Sequence, residues 1–453
     1  MSKIKKTVSA LLDGYYYPIF VAAIVLIGHL FSCEFFALSL IFVSVFLGFL
    51  LCDTLKFLIS PFLMALFTVS QKSVLAGTFY SSPFKIFIII CAVAFVCFAV
   101  AHFVIYRKKI VVSEFLKSKL FLGYVLLAAA FLFNGFFFFE GFAPGNITYA
   151  LALIGTLCIS FALFAVNLDF TNELKKYFLY VLYVASMVIV VEFFALFAGQ
   201  IRIENGEIVK ESVIIGWGIC NNVGAMMAML IPIHFYFAAY KKRGYIFYAT
   251  GALSYIAVAL SLSRASLLAA TFLICACAVA VCFIGPNKKQ NRIITASLAF
   301  VGLLGIILLW GKISKVLGDY ISRGFSDNGR FEMWREGIDK FLHHPIFGAG
   351  FYNSYPTEYQ FIPFLPYRYH NTVIELLATC GLFGFLSYAF HRFQTVKLFL
   401  SKKSGVSLFL ALCLSGLLIA SLLDNHMFNL YPCIYYSLIL LIFEKTEANA
   451  HTE

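Results

Sequence analysis

Charge is scarce in this 453-residue chain: Asp, Glu, Lys and Arg together make up 12%, about half of what a soluble domain carries. That scarcity leaves few residues for a water-soluble domain and excludes soluble Rossmann or barrel enzymes. Paired cysteine motifs are missing as well. Of 12 Cys, most lie inside apolar runs (Cys91, Cys97, Cys158, Cys275, Cys277, Cys282, Cys413), with no CxxC pair and no His-rich ligand spacing, so they read as small buried hydrophobes. No small-residue cleavage site follows the first apolar run, which reads as an uncleaved span. Internal repeats are not apparent either.

Apolar residues are abundant instead. They make up 62% of the chain, 18% of it is aromatic, and the mean hydropathy is +0.91. At about 20 residues per crossing, this pool allows up to about fourteen spans. Candidate runs cover 17–32, 35–52, 56–70, 84–106, 120–139, 147–167, 177–198, 222–240, 244–263, 265–284, 293–310, 372–391, 406–423 and 430–443. Two of these, 56–70 and 430–443, are short for a crossing. The expectation is an all-α polytopic membrane protein of twelve to fourteen spans, with the whole chain forming one integral membrane domain.

The net charge of +12 would suggest nucleic acid in a soluble protein, but here it sorts by side of the membrane. With the N-terminus inside, 22 of the 34 basic residues fall in cytoplasmic connectors, and seven of the other twelve lie in one long external loop. The remaining short connectors divide 22 to 5, which places both termini in the cytoplasm and removes any need for a nucleic-acid partner.

That long loop, 311–371, is the segment richest in Gly, Pro, Tyr and charge, and external chemistry is expected there. Within it, 330–342 puts Phe331, Trp334, Ile338, Phe341 and Leu342 on one face at helical spacing, the pattern of an amphipathic helix at the membrane surface. A second polar segment, 199–221, shows no chemistry of its own.

Three residues stand out. Arg264, in Leu262-Ser263-Arg264-Ala265-Ser266, lies where two apolar runs meet at the outer face. It either snorkels to lipid phosphate or offers a bidentate fork to a phosphorylated ligand. Arg330 opens the surface helix after Asp327-Asn328-Gly329, where free N–H groups and the helix dipole favour an anion; the plainer alternative is an ion pair with Asp327 or Glu332. Arg323, Arg335 and Arg368 add positive charge nearby. His370, at the outer boundary before the 372–391 run, is either a structural interfacial histidine or a general base for a hydroxyl. No close carboxylate pair announces a metal in the loop, so neither a metal nor another cofactor is expected.

His370-Asn371, nine residues, then Gly381-Leu382-Phe383-Gly384 resembles the HN-x9-GxxG signature of the O-antigen ligase and O-antigen polymerase superfamily, every defined position being filled. The order Ser263-Arg264, then Gly329-Arg330 with Trp334, then Pro345-Ile346-Phe347-Gly348-Ala349-Gly350, then His370 is similar too. The resemblance is most specific over 260–390, the expected catalytic region, with a weaker echo at Asn221-Asn222. It implies a GT-C-like fold with one large external loop containing short amphipathic helices. The implied reaction is metal-independent transfer of a glycan from an undecaprenyl-diphosphate carrier to a hydroxyl of a glycan, lipid or glycoconjugate acceptor, on the outer face of a bacterial cytoplasmic membrane. By that resemblance His370 is the base, Arg264 and Arg330 hold the diphosphate, and Asn371, Gly381 and Gly384 support the motif. The competing expectation from another class is a glycolipid flippase or transporter. Such proteins place charge near the bilayer midplane, where Glu192, His234 and Asn134 are the few candidates.

Overall fold

Hydrocarbon offers backbone amides no partner, so a chain this apolar must satisfy them within helices. The computed structural model describes residues 3–77, 81–106, 112–137, 143–199, 201–204, 207–209, 212–308, 310–311, 314, 329–352 and 369–446, and it is helical almost throughout. In chain order the helices are α1 (Lys3–Leu12), α2 (Tyr16–Phe31), α3 (Glu34–Leu51), α4 (Ile59–Met64), α5 (Gln71–Leu75), α6 (Ser82–Tyr106), α7 (Val112–Leu116), α8 (Phe121–Leu132), α9 (Gly145–Leu153) and α10 (Ser160–Asn167). They continue with α11 (Asn172–Gly199), α12 (Cys220–Tyr240), α13 (Gly244–Leu260), α14 (Arg264–Val281), α15 (Lys288–Leu308), α16 (Arg330–His343), α17 (Thr372–Leu400), α18 (Gly405–Leu422) and α19 (Leu430–Lys445). The protein is an all-α polytopic membrane protein.

Eight helical segments among the described residues are long and apolar enough to cross a bilayer, and α1 with α2 form a further bent pair at 71°. Hydropathy had suggested twelve to fourteen. Three of the expected runs fall short in length: α8 and α13 are apolar but short, and the 56–70 run folds as a helix broken by 3₁₀ turns at both ends. The surface helix expected over 330–342 is α16. The segment 199–221 forms two small hairpins, Ile203–Glu204 with Glu207–Ile208 and Ile214–Ile215 with Gly218–Ile219.

At the centre of the bundle lies α12, 94% of whose span is buried, against 11% for α6 at the periphery. Small residues explain its position: with Gly224, Ala225, Ala228, Ala238 and Ala239 along it, neighbouring backbones can approach closely. Helices α11, α13, α14 and α18 surround it. The three residues that hydropathy offers as midplane candidates are all bonded. Both His234 nitrogens have partners, Nε2 at 2.8 Å from Ser186 Oγ and Nδ1 at 2.9 Å from Thr250 Oγ1. Glu192 accepts from the Trp217 indole at 2.8 Å. Asn134 accepts from the Phe351 N–H at 3.1 Å. Arg392, which the charge pattern placed in a cytoplasmic connector, belongs instead to α17, because that helix continues nine residues past its expected end. Its guanidinium stacks 4.5 Å and 4.6 Å from the Tyr388 and Tyr436 ring centroids and donates to the Tyr436 hydroxyl.

Helix α17 is interrupted at Gly381 (φ 64°, ψ −160°). Such a break exposes donors and acceptors that must be satisfied inside the protein, and the chain over 345–350 satisfies them. Leu382 N donates to Pro345 O (2.8 Å) and Phe383 N to Ile346 O (3.1 Å), while Ala349 N and Gly350 N donate to Ala378 O (2.8 Å) and Thr379 O (3.0 Å). Two glycines permit the approach. A Cβ on Gly381 would lie 2.5 Å from the Ile346 carbonyl, and one on Gly348 would lie 2.3 Å from the Thr379 carbonyl carbon. Gly381 and the Pro345–Gly350 stretch thus form one packed unit. Gly381→Ala forces both a clash and a backbone conformation that by itself costs about 1–3 kcal/mol, so a marked fall in the thermal midpoint is expected in detergent. An unchanged midpoint would show that the break relaxes.

Candidate functional site

The order of the helices brings four chain segments to one end of the bundle: the start of α12, the start of α14, the α16–α17 region and the link between α18 and α19. At their junction lies Asp424, just past the end of α18. Its Oδ1 is 2.9 Å from His370 Nδ1 and accepts from the Asn425 N–H at 2.8 Å, while Oδ2 accepts from Asn221 Nδ2 at 2.8 Å. Buried His426 places Nε2 4.0 Å from Oδ2. Burial alone would raise the Asp424 pKa. The His426 and His370 imidazoles and the Asn425 N–H overcome that effect and hold the carboxyl well below the usual carboxylate range.

An ionised carboxylate can only accept, so His370 Nδ1 must carry the proton. In the neutral ring the lone pair is then on Nε2, which has no hydrogen-bond partner among the described residues and belongs to a side chain that is 33% exposed. Backbone geometry holds the ring in place. His370 adopts φ 49°, a left-handed conformation that histidine tolerates better than most residues. Both of its neighbours are fixed. The Tyr369 N–H donates to Glu375 Oε2 (2.9 Å), and its carbonyl accepts from the Trp334 indole (2.8 Å). Asn371 caps α17, accepting from Val373 N and Ile374 N, and donates to Leu422 O at 3.1 Å. Glu375 also accepts from Asn425 Nδ2 at 2.5 Å, so the two loops at this end are braced together.

Arg264 is the first residue of α14, capped by Ser263, and it is exposed. Its helix is tied to the same junction: the Ser266 hydroxyl donates to the Asn221 carbonyl at 3.3 Å, and the Asn221 amide holds Asp424. Arg330 begins α16 after Gly329 (φ 78°), one turn before Trp334 and so on the same face as the indole that holds Tyr369. It forms no ion pair among the described residues; Asp327, one of its expected partners, lies outside them. Arg335 is exposed on α16, and Arg323 and Arg368 lie outside the described residues, as does most of the 311–371 loop.

Sequence reasoning missed Asp424, Glu375 and the bonding role of Asn221. A signal for the first was present: Asp424-Asn425-His426 is a polar island between two apolar runs at the face where His370 lies.

Residues 249–389 match the family model described as O-antigen ligase. This stretch belongs to the O-antigen ligase superfamily. It covers about a third of the chain and takes in Arg264, Arg330, His370 and the Gly381–Gly384 pair, whereas Asp424 and Asn221 lie outside it. The activity supported by this O-antigen ligase domain is, broadly, ligase-type glycosyl transfer in polysaccharide assembly at a membrane. No curated protein matches the chain.

A carboxyl with a lowered pKa stabilises the fold at any pH above the ordinary value of about 4, and that stabilisation is lost only in stronger acid. Asp424→Asn should therefore lower the thermal midpoint throughout the range from about pH 8 to about pH 5, with the gap narrowing only below that range. A gap that closes between neutrality and about pH 5 would contradict the ionised assignment.

Proposed function

We propose that this protein transfers a glycan from an undecaprenyl-diphosphate carrier to an acceptor hydroxyl on the outer face of the bacterial cytoplasmic membrane, with His370 as general base and Arg264 and Arg330 holding the diphosphate. One observation carries the reading. An imidazole oriented by an ionised carboxylate leaves Nε2 open at the bundle end where the helices bearing Arg264 and Arg330 begin. In the reaction the acceptor O–H proton passes to His370 Nε2, and the acceptor oxygen bonds to the anomeric carbon. The bond from that carbon to the phosphate oxygen breaks, and the electron pair leaves with the lipid diphosphate. Two guanidinium groups at helix N-termini suit the charge that develops on it. No metal is needed in this scheme. Asp424 fixes the imidazole tautomer and stabilises the imidazolium that forms, and Asn221 fixes Asp424. The region 260–390 is then the catalytic region, 311–371 an external loop, and the basic connectors with both termini are cytoplasmic.

Incubating the purified protein with a polyprenyl-diphosphate oligosaccharide and analysing the products on a gel tests the reading. A ladder of lengthened chains marks a polymerase, a single unit on a second acceptor marks a ligase, and unaltered donor refutes the proposal. His370→Ala should abolish transfer while the protein remains in the membrane. Asp424→Asn should slow transfer on the order of a hundredfold or more. Arg264→Lys and Arg330→Lys should each weaken donor use, because an ammonium cannot reproduce the bidentate fork; full activity in both would leave these arginines as surface anchors.

A further inference from the structure

Twenty-one residues separate the two ends of α12, about 30 Å and thus the thickness of a bilayer core. One end carries Asn221 and the His370 site. At the other, between the start of α11, the end of α12 and the start of α13, is a cavity of about 680 Å³ whose lining includes Tyr180, Tyr236, Tyr240, Lys176, Lys241 and Lys242. No Asp or Glu lines it. Its wall is a packed aromatic set: Tyr236 and Tyr240 lie 5.1 Å apart by ring centroid, Tyr183 lies 5.3 Å from both Phe237 and Phe247, and Tyr15 closes on Tyr180 at 5.4 Å. Lys176 pairs with the exposed Glu173 at 3.6 Å. Lys241 and Lys242 are exposed and form no ion pair among the described residues.

We propose that this cavity binds a phosphate-bearing anionic phospholipid of the leaflet opposite the His370 site, with Lys241 and Lys242 on the phosphate and the tyrosine wall against the glycerol and upper acyl segments. A soluble anion would need donors on several sides, whereas here the lining apart from the three lysines is mostly aromatic. Tyrosine is suited to the depth where headgroup meets acyl chain, and basic pockets between membrane helices on the cytoplasmic side take such headgroups. Exposed apolar side chains continue from the rim: Tyr245 and Ile246 precede Phe247, and Ile19 and Phe20 follow Tyr15, each 42–51% exposed. A lipid tail leaving the cavity would meet them. The size also fits, since ligand cavities typically measure about 300–1,000 Å³.

The test is native mass spectrometry of the purified full-length protein in neutral detergent, with dioleoyl phosphatidylglycerol, dioleoyl phosphatidylcholine or glycerol 1-phosphate added. Preferential retention of phosphatidylglycerol is expected. The double variant Lys241→Gln/Lys242→Gln should lower that retention about tenfold, whereas Lys397→Gln/Lys403→Gln, a charge-matched pair outside the lining, should leave it unchanged. Tyr180→Ala should weaken retention of the lipid with the charge intact. All of these positions are at least partly exposed, and unchanged elution and thermal midpoint verify folding. Equal retention of both lipids, or retention that survives the Lys241/Lys242 change, overturns the proposal. Binding of glycerol 1-phosphate as tight as that of the lipid would make the occupant a soluble phosphate and likewise overturn it. Glycan transfer is not measured, so the outcome is independent of the assignment of His370.

Discussion

Burying a carboxylate at the edge of a membrane bundle is costly unless several donors surround it, and the donors around Asp424 come from far apart in the chain. Asn221 is 203 positions away and His370 is 54. Satisfying this one group therefore draws the start of α12, the start of α17 and the α18–α19 link to a single point. The imidazole benefits in turn: its tautomer is fixed, its ring is pinned, and one nitrogen is left facing outward. A second carboxylate, Glu375, acts on the backbone in the same way, holding the Tyr369 amide and the Asn425 side chain. With Trp334 on the Tyr369 carbonyl, the residue preceding the histidine is held on both its backbone polar groups.

Much of this arrangement was legible in the linear chain, in proportion to how local the determinant is. Hydropathy found the helix positions, and the 3.6-residue spacing of Phe331, Trp334 and Ile338 found α16 to within a residue. The HN-x9-GxxG pattern singles out His370, Asn371 and Gly381, but does not reveal that Asn371 caps α17 or that Gly381 interrupts it against residues 345–350. Nothing in the periodicity, however, pairs Asp424 with His370 or Asn221 with Asp424, since hydrogen bonds across 54 or 203 positions leave no repeat to read. Hydropathy also misjudged extents. The run beginning at Thr372 seemed to end near 391, before Arg392, but two tyrosine rings shelter that guanidinium and the helix continues to Leu400. Likewise, the apolar stretch over 56–70 is shortened by 3₁₀ turns that apolarity alone does not reveal.

The interruption of α17 has a mechanical consequence. A continuous rod of 29 residues would carry any tilt of its far half directly to the imidazole at its tip. Here the piece from Thr372 to Cys380 and the piece beyond Gly381 are each bonded to the 345–350 stretch, which splints the joint, and the tip is anchored by Asn371 and Thr372 to the end of α18. A tilt of the far half is therefore shared with the 345–350 stretch and the end of α18 before it reaches the imidazole, much as a splint spreads the load on a jointed rod.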